Sequence, residues 1–100
     1  VIRQGEIYTI DGSPLRVVVL SNDVVSNRGL PIVAPIARGS YDAPPYAVAL
    51  DDLDSVAGVV FVNRMYAILP DRLNNRSGMV SGATWRRLHE ALTGTFADLG

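Results

Sequence analysis

Between Gly5 and Gly82 the chain is cut into short pieces by turn formers. "DGSP" stands at 11–14, "SND" at 21–23, "NRGLP" at 27–31, "RGSYDAPP" at 38–45, "DDLD" at 51–54 and "PDRLNN" at 70–75. Glycine, proline, asparagine and aspartate favour bends or interrupt a regular hydrogen-bond ladder. The pieces left between them are apolar, rich in β-branched residues and only a few residues long. That pattern predicts strands, not helices.

The expected strands are 6–10 ("EIYTI"), 15–21 ("LRVVVLS"), 31–37 ("PIVAPIA") and 46–50 ("YAVAL"). The segment 59–69 ("VVFVNRMYAIL") is long for one strand, so Asn63-Arg64 is expected to mark a bend between two. A short strand is expected in "MVS" at 79–81. Pro35 lacks an N–H, so the third strand must meet an edge, a bulge or a bend there. The stretches 22–31 and 70–78 read as loops, and 51–58 as a turn or a short helical piece. Only the C-terminal segment has helical period: Trp85, Leu88, Leu92 and Phe96 fall on one face. Ser81 or Thr84 is placed to cap it. Many short strands followed by one amphipathic helix imply a mainly β, α+β domain over 1–100, a small antiparallel barrel closed by a C-terminal α-helix.

Composition narrows the chemistry. With 48% hydrophobic and 19% charged residues, 100 residues suffice for one core. No stretch approaches the roughly 18 apolar residues of a membrane span, and the N-terminus lacks a signal-peptide layout. A cytoplasmic protein is expected, without membrane attachment. Cysteine is absent, which excludes disulfides and thiolate metal sites. His89 is the sole histidine, so an acid–base pair of imidazoles is excluded; its place beside Leu88 suits a boundary or surface position. No cluster has metal-ligand spacing, no glycine-rich phosphate loop is present, and Ser21 has no nucleophile elbow around it. No cofactor is expected.

All nine basic residues are arginine, on a chain of net charge −1. Each is a planar fork suited to a phosphate, and an anion site must be a local cluster. The candidates stand at strand ends: Arg16 opens the second strand, Arg38, Ser40 and Tyr41 follow the third, and Asn63 and Arg64 interrupt the fifth. In a small barrel, loops at one rim can converge, so these residues are candidates for one phosphodiester site.

The motifs around these residues resemble the MazF/PemK toxins of toxin–antitoxin systems. "RQGEIY" (3–8) is similar to that family's opening Arg-x-Gly-Glu/Asp-Ile/Val-Tyr/Trp strand, "RVVVLSND" (16–23) to its Arg-Pro-Val-Leu-Val strand, and "IVAPIA" (32–37) to its Val-Ala-x-Ile strand. "DSVAGVVFVNRMYAILPDRL" and "GMVSGATWRRLHEALTGTFAD" resemble its second half more loosely. The resemblance implies an SH3-like barrel, a homodimer, and metal-independent endoribonuclease activity on single-stranded RNA, an mRNA interferase. In this chemistry the ribose 2′-hydroxyl attacks the adjacent phosphate and leaves a cyclic phosphate. It implies that Arg16 is catalytic and that the partner is an antitoxin with an acidic disordered tail. Where the family carries a threonine or serine, this chain has Ala37; Ser40 is the hydroxyl candidate instead, with Arg38, Tyr41, Asn63 and Arg64 as RNA contacts. The related CcdB class shares the fold and poisons DNA gyrase, and the second and third strands fit it too. A fold member that only binds a partner is the remaining alternative.

Overall fold

The computed structural model describes residues 1–38, 46–51 and 54–96. Among them the strands are β1 (Glu6–Ile10), β2 (Arg16–Val19), β3 (Ile32–Ala37), β4 (Ala47–Ala49), β5 (Val59–Phe61), β6 (Tyr66–Ala67) and β7 (Leu73–Met79). Two α-helices join them, α1 (Asp23–Arg28) and α2 (Gly82–Thr95), with 3₁₀ turns at Val62–Arg64 and Pro70–Arg72. All pairings are antiparallel, in the order β4-β5-β3-β2-β1-β7, and β6 pairs with β3 beyond the end of β5. The expected mainly β architecture with a terminal helix is therefore present.

Strand alternation builds the core. Ile7, Val18, Leu20, Ala34, Ile36, Val48 and Val60 share one face with Val62, Val80, Leu88 and Ala91. The opposite face buries Ile10, Val17, Val19, Val33 and Ile68, with Ile2, Tyr8 and Leu73 at its margin. Both faces are apolar because the sheet curls. α2 covers one face over β4 and the turn at 62–64, while strands β1, β2, β3 and β7 wrap the other. The apolar run Val17 to Leu20 is thus buried on both faces of the sheet. No helix of the described residues is long and apolar enough to cross a membrane.

Several local expectations match in detail. β1 has the expected bounds, and the bend at 62–64 divides β5 from β6. Gly12 takes φ +70° in the turn after β1, a conformation that side-chain-bearing residues rarely adopt. On the side of β3 away from β2, β6 pairs at Ile32 and Val33 and β5 at Ile36 and Ala37, so Pro35 falls where that ladder changes partner.

Three expectations need correction. The stretch 22–31 is not all loop: it holds α1, capped by the Asn22 side chain, which accepts from the Val25 N–H at 2.9 Å. The stretch 70–78 is not loop either: β7 begins at Leu73 and runs 7 residues along β1. Its residues alternate poorly because this edge strand has little to bury. Phe96 does not join the buried face of α2. It is the C-cap, 71% exposed, and the buried positions are Thr84, Leu88 and Ala91, flanked by Trp85 and Leu92.

Candidate functional site

Arg16 is the first residue of β2, and the ladder holds it on both sides, opposite Thr9 of β1 and Ile36 of β3. Its side chain is half-buried. The Nε atom is buried and has no hydrogen-bond partner among the described residues. A buried donor left unpaired costs about 1–3 kcal/mol. Such an atom marks a place where an acceptor from outside the chain would be favourable.

Arg16 lines a depression of about 280 Å³ together with Pro14, Leu15, Ile36, Arg38 and Ala57. Arg38 follows β3 directly and is exposed. The ion pairs among the described residues are Arg76 with Glu6 and Arg87 with Asp51, so neither Arg16 nor Arg38 is neutralised by a carboxylate there. Two free guanidiniums on one depression, one with a buried N–H, suit a phosphate or phosphodiester.

Ala57 also lines the depression, next to a close backbone approach at Gly58. Gly58 has φ +142°, and a Cβ there would lie 2.6 Å from the Ala37 carbonyl oxygen. Glycine lets this segment press against the end of β3. Ile36 and Arg38 line the depression, and Ala37 between them does not. Alternation aims consecutive strand side chains to opposite faces.

Of the remaining candidates, the structure describes Asn63 and Arg64. Ser40 and Tyr41 lie outside the described residues. Asn63 and Arg64 sit in the 3₁₀ turn after β5, both exposed. Because β5 runs antiparallel to β3, with Ala37 opposite Val59 and Ile36 opposite Val60, the chain leaving β5 moves away from Arg38. The Arg64 guanidinium lies 4.7 Å from the Phe61 ring centroid. Asn63 lines a different depression of about 190 Å³ with Tyr46, Gly94 and Thr95. Among the described residues of the expected rim cluster, Arg16 and Arg38 share one depression, and Asn63 and Arg64 do not line it.

Two carboxylates hold the frame. Glu6 is buried and accepts from the Arg3 N–H at 2.6 Å, the Tyr8 hydroxyl at 3.0 Å and Arg76 Nε. Burial pushes its carboxyl up, but these donors together hold it below the usual glutamate value. Burial and the Glu6 carboxylate raise the Tyr8 phenol. Asp54 accepts from Ser81 N–H at 2.7 Å, Thr84 Oγ1 at 2.6 Å and Asp51 N–H at 2.8 Å, which fixes the start of α2. Burial raises its carboxyl, and these bonds outweigh that and lower it. Both acids have structural partners and neither lines the arginine depression. Among the described residues, no three His, Cys, Asp or Glu side chains gather as metal ligands.

The sequence pattern of the PemK-like, MazF-like toxins of type II toxin–antitoxin systems matches residues 3–96. The chain belongs to this family. The fold agrees. An endoribonuclease from a mycobacterial species, in complex with its cognate antitoxin, superposes on this toxin with a TM-score of 0.84 at 20% identity, covering 94% of this chain and 93% of that one. MazF of a MazE–MazF complex from Deinococcus radiodurans gives 0.79 at 18% identity, with 95% of each chain covered. The Mycobacterium tuberculosis toxin MazF-mt6 gives 0.74 at 23% identity, covering 94% of this chain and 96% of that one. No curated protein matches the sequence. Within this PemK/MazF-like toxin, Leu15, Pro14 and Ala57 are site-lining residues that sequence reasoning missed. A leucine in a turn signals nothing until its neighbours in space are known.

Proposed function

We propose that this toxin is an endoribonuclease that cuts single-stranded RNA without a metal ion, with Arg16 as the catalytic residue. The observation that carries the reading is the buried, unpartnered Arg16 Nε beside Arg38 in one depression. Family membership and the endoribonuclease neighbours support it.

In this reading the scissile phosphate lies against the Arg16 fork, which donates to its non-bridging oxygens. The ribose 2′-oxygen attacks phosphorus, the O2′–P bond forms and the P–O5′ bond breaks. The 2′-hydroxyl gives its proton to solvent, and the departing 5′-oxygen takes one up. The products are a 2′,3′-cyclic phosphate and a 5′-hydroxyl. Negative charge grows on the non-bridging oxygens, and a guanidinium fixed on a strand needs little reorganisation to meet it. Arg38 supplies a second charge for the same or the next phosphate. Ser40 is the proposed hydroxyl donor.

The test is digestion of a long single-stranded RNA in excess chelator, followed by analysis of product ends. Cyclic-phosphate ends at an unchanged rate are expected. Intact RNA, or cleavage that needs an added divalent ion, would overturn the reading.

The proposed partner is an antitoxin whose acidic, disordered tail lays carboxylates over Arg16 and Arg38. Two structural neighbours solved as toxin–antitoxin complexes support that assignment. The proposed assembly is a homodimer, so light scattering at micromolar concentration should give twice the 10.8 kDa chain mass.

A further inference from the structure

Ala57, on the depression beside Arg16, is tied to a distant part of the chain. The Leu50 N–H donates to the Gly58 carbonyl at 2.9 Å, which joins the end of β4 to the start of β5. Between them, Asp54 Oδ1 accepts from the Ser81 N–H at 2.7 Å, and Oδ2 accepts from Thr84 Oγ1 at 2.6 Å and the Asp51 N–H at 2.8 Å. Thr84 is fully buried, and its oxygen also accepts from Ser81 Oγ at 3.1 Å and Arg87 Nη2 at 3.0 Å. Ser55 Oγ accepts from the Met79 N–H at 3.3 Å and fills the space where a Cβ on Gly78 would lie. Val56 packs on the core. Gly58 sits so close to β3 that a Cβ would come within 2.7 Å of Ile36 Cγ2, and Ile36 is the cross-strand partner of Arg16.

The source of the Asp54 bonds is unusual for a helix start. Ser81 is the N-cap of α2, and its Oγ accepts from the Thr84 N–H at 3.1 Å. In a capping box, a glutamate at the third helical position reaches back to the N-cap N–H. Here that position is Thr84, and the acceptor comes from 27 residues earlier. A local acceptor would serve the helix equally well. A distant one also fixes the segment that carries it. We propose that Asp54 is a positioning residue for the Arg16 site: it anchors the segment 54–58 to the first turn of α2 and so holds Ala57 and Gly58 against β3 beside Arg16. The inference rests on the ribonuclease reading. Neither Asp54 nor Thr84 lines the depression, so both act through the residues between them and β3. A small misplacement of a group that meets the transition state lowers rate more than affinity.

The experiment pairs RNA cleavage with NMR of the RNA-free full chain, at a temperature where circular dichroism shows every variant folded. Asp54→Asn keeps the size of the side chain. An amide has one acceptor oxygen, so whichever way it turns, its NH2 faces the N–H of Ser81 or of Asp51. This variant should lower kcat about tenfold, leave KM within about threefold, and shift the Ala57 methyl and Arg16 Nε–H signals. Thr84→Val, which removes the hydroxyl and keeps the shape, should change kcat and both signals in the same direction; it carries the test alone if Asp54→Asn does not fold. Thr84→Ser keeps the hydroxyl and loses a buried methyl, so it should melt lower and cleave at the wild-type rate. Asn22→Ala removes the cap of α1, at the other end of β2, and should also melt lower with kcat unchanged.

Wild-type kcat and unmoved signals in the folded Asp54→Asn or Thr84→Val variants overturn the positioning role and leave the ribonuclease reading standing. Losses of kcat in Thr84→Ser or Asn22→Ala as large as in Asp54→Asn would show the rate following stability alone, and overturn it too. A wild-type protein that cuts no RNA overturns the ribonuclease reading instead. The NMR signals then decide the anchor by themselves: it stands if Ala57 and Arg16 shift in Asp54→Asn and falls if they do not.

Discussion

Arg16 shows what a residue reveals in sequence and what it does not. A guanidinium opening a β-branched run is visible in the string "RVVVL", because the run must be buried and the arginine must then sit at its mouth. The missing acceptor for Nε is invisible there, since it depends on which side chains the fold fails to bring near. That atom also separates two roles. A structural arginine would cost stability when replaced. Here Arg16→Met removes an unpaired buried donor, so urea unfolding should show stability unchanged or higher by up to about 1 kcal/mol. Single-turnover RNA cleavage by the same variant should fall about a hundredfold or more. Arg16→Lys should not restore it, because an ammonium lacks the fork. At Ala37 the expected outcome is different. It does not line the depression, so Ala37→Thr should leave the cleavage rate within about twofold. A large gain would mean that a hydroxyl there reaches the phosphate.

At the scale of elements, legibility followed burial. Strands β1, β2, β3 and β5 announce themselves because their apolar faces are required by the core. α1 was misread because six residues make too few turns for a period, and Asn22-Asp23, which reads as a turn, is also a helix cap. β7 was misread for the opposite reason. "LNNRSGM" has almost no buried face, and polar bonds hold it: Arg76 to Glu6, Asn75 N–H to Thr9 Oγ1 at 3.3 Å, and the ladder to β1. The β1–β7 seam therefore leans on a carboxylate. Glu6→Gln should cost about 2–3 kcal/mol by chemical denaturation, the loss of charge-assisted bonds in a buried place. The pH dependence follows from the lowered Glu6 and Asp54 carboxyls. Their contribution is complete above the ordinary values of 4.5 and 3.8, and it is lost as pH falls through the lower folded values. Melting temperature should be flat from neutrality to about pH 5 and drop below that, and Glu6→Gln should drop less steeply.

For the whole molecule, the charge distribution sets a limit on RNA binding. Net charge is −1, and the candidate site has two free arginines among the described residues. Single-stranded nucleic acid loses about 0.7 log units of affinity per log unit of salt for each neutralised phosphate, so two phosphates give a slope of about −1.4. Fluorescence anisotropy with an uncleavable 2′-deoxy oligonucleotide, titrated with salt, reads that slope. A much steeper value would mean a wider basic surface, such as one completed by a second copy. The sheet order carries one more consequence. The first strand, β1, lies between β2 and β7, the last strand, and Leu88 of α2 closes over the same core as Ile7. On a ribosome, the opening strand must wait for nearly the entire chain to emerge before it finds its second neighbour. Until then β1 keeps one unpaired edge, and the core that Ile7 shares with Leu88 stays open on the side of α2.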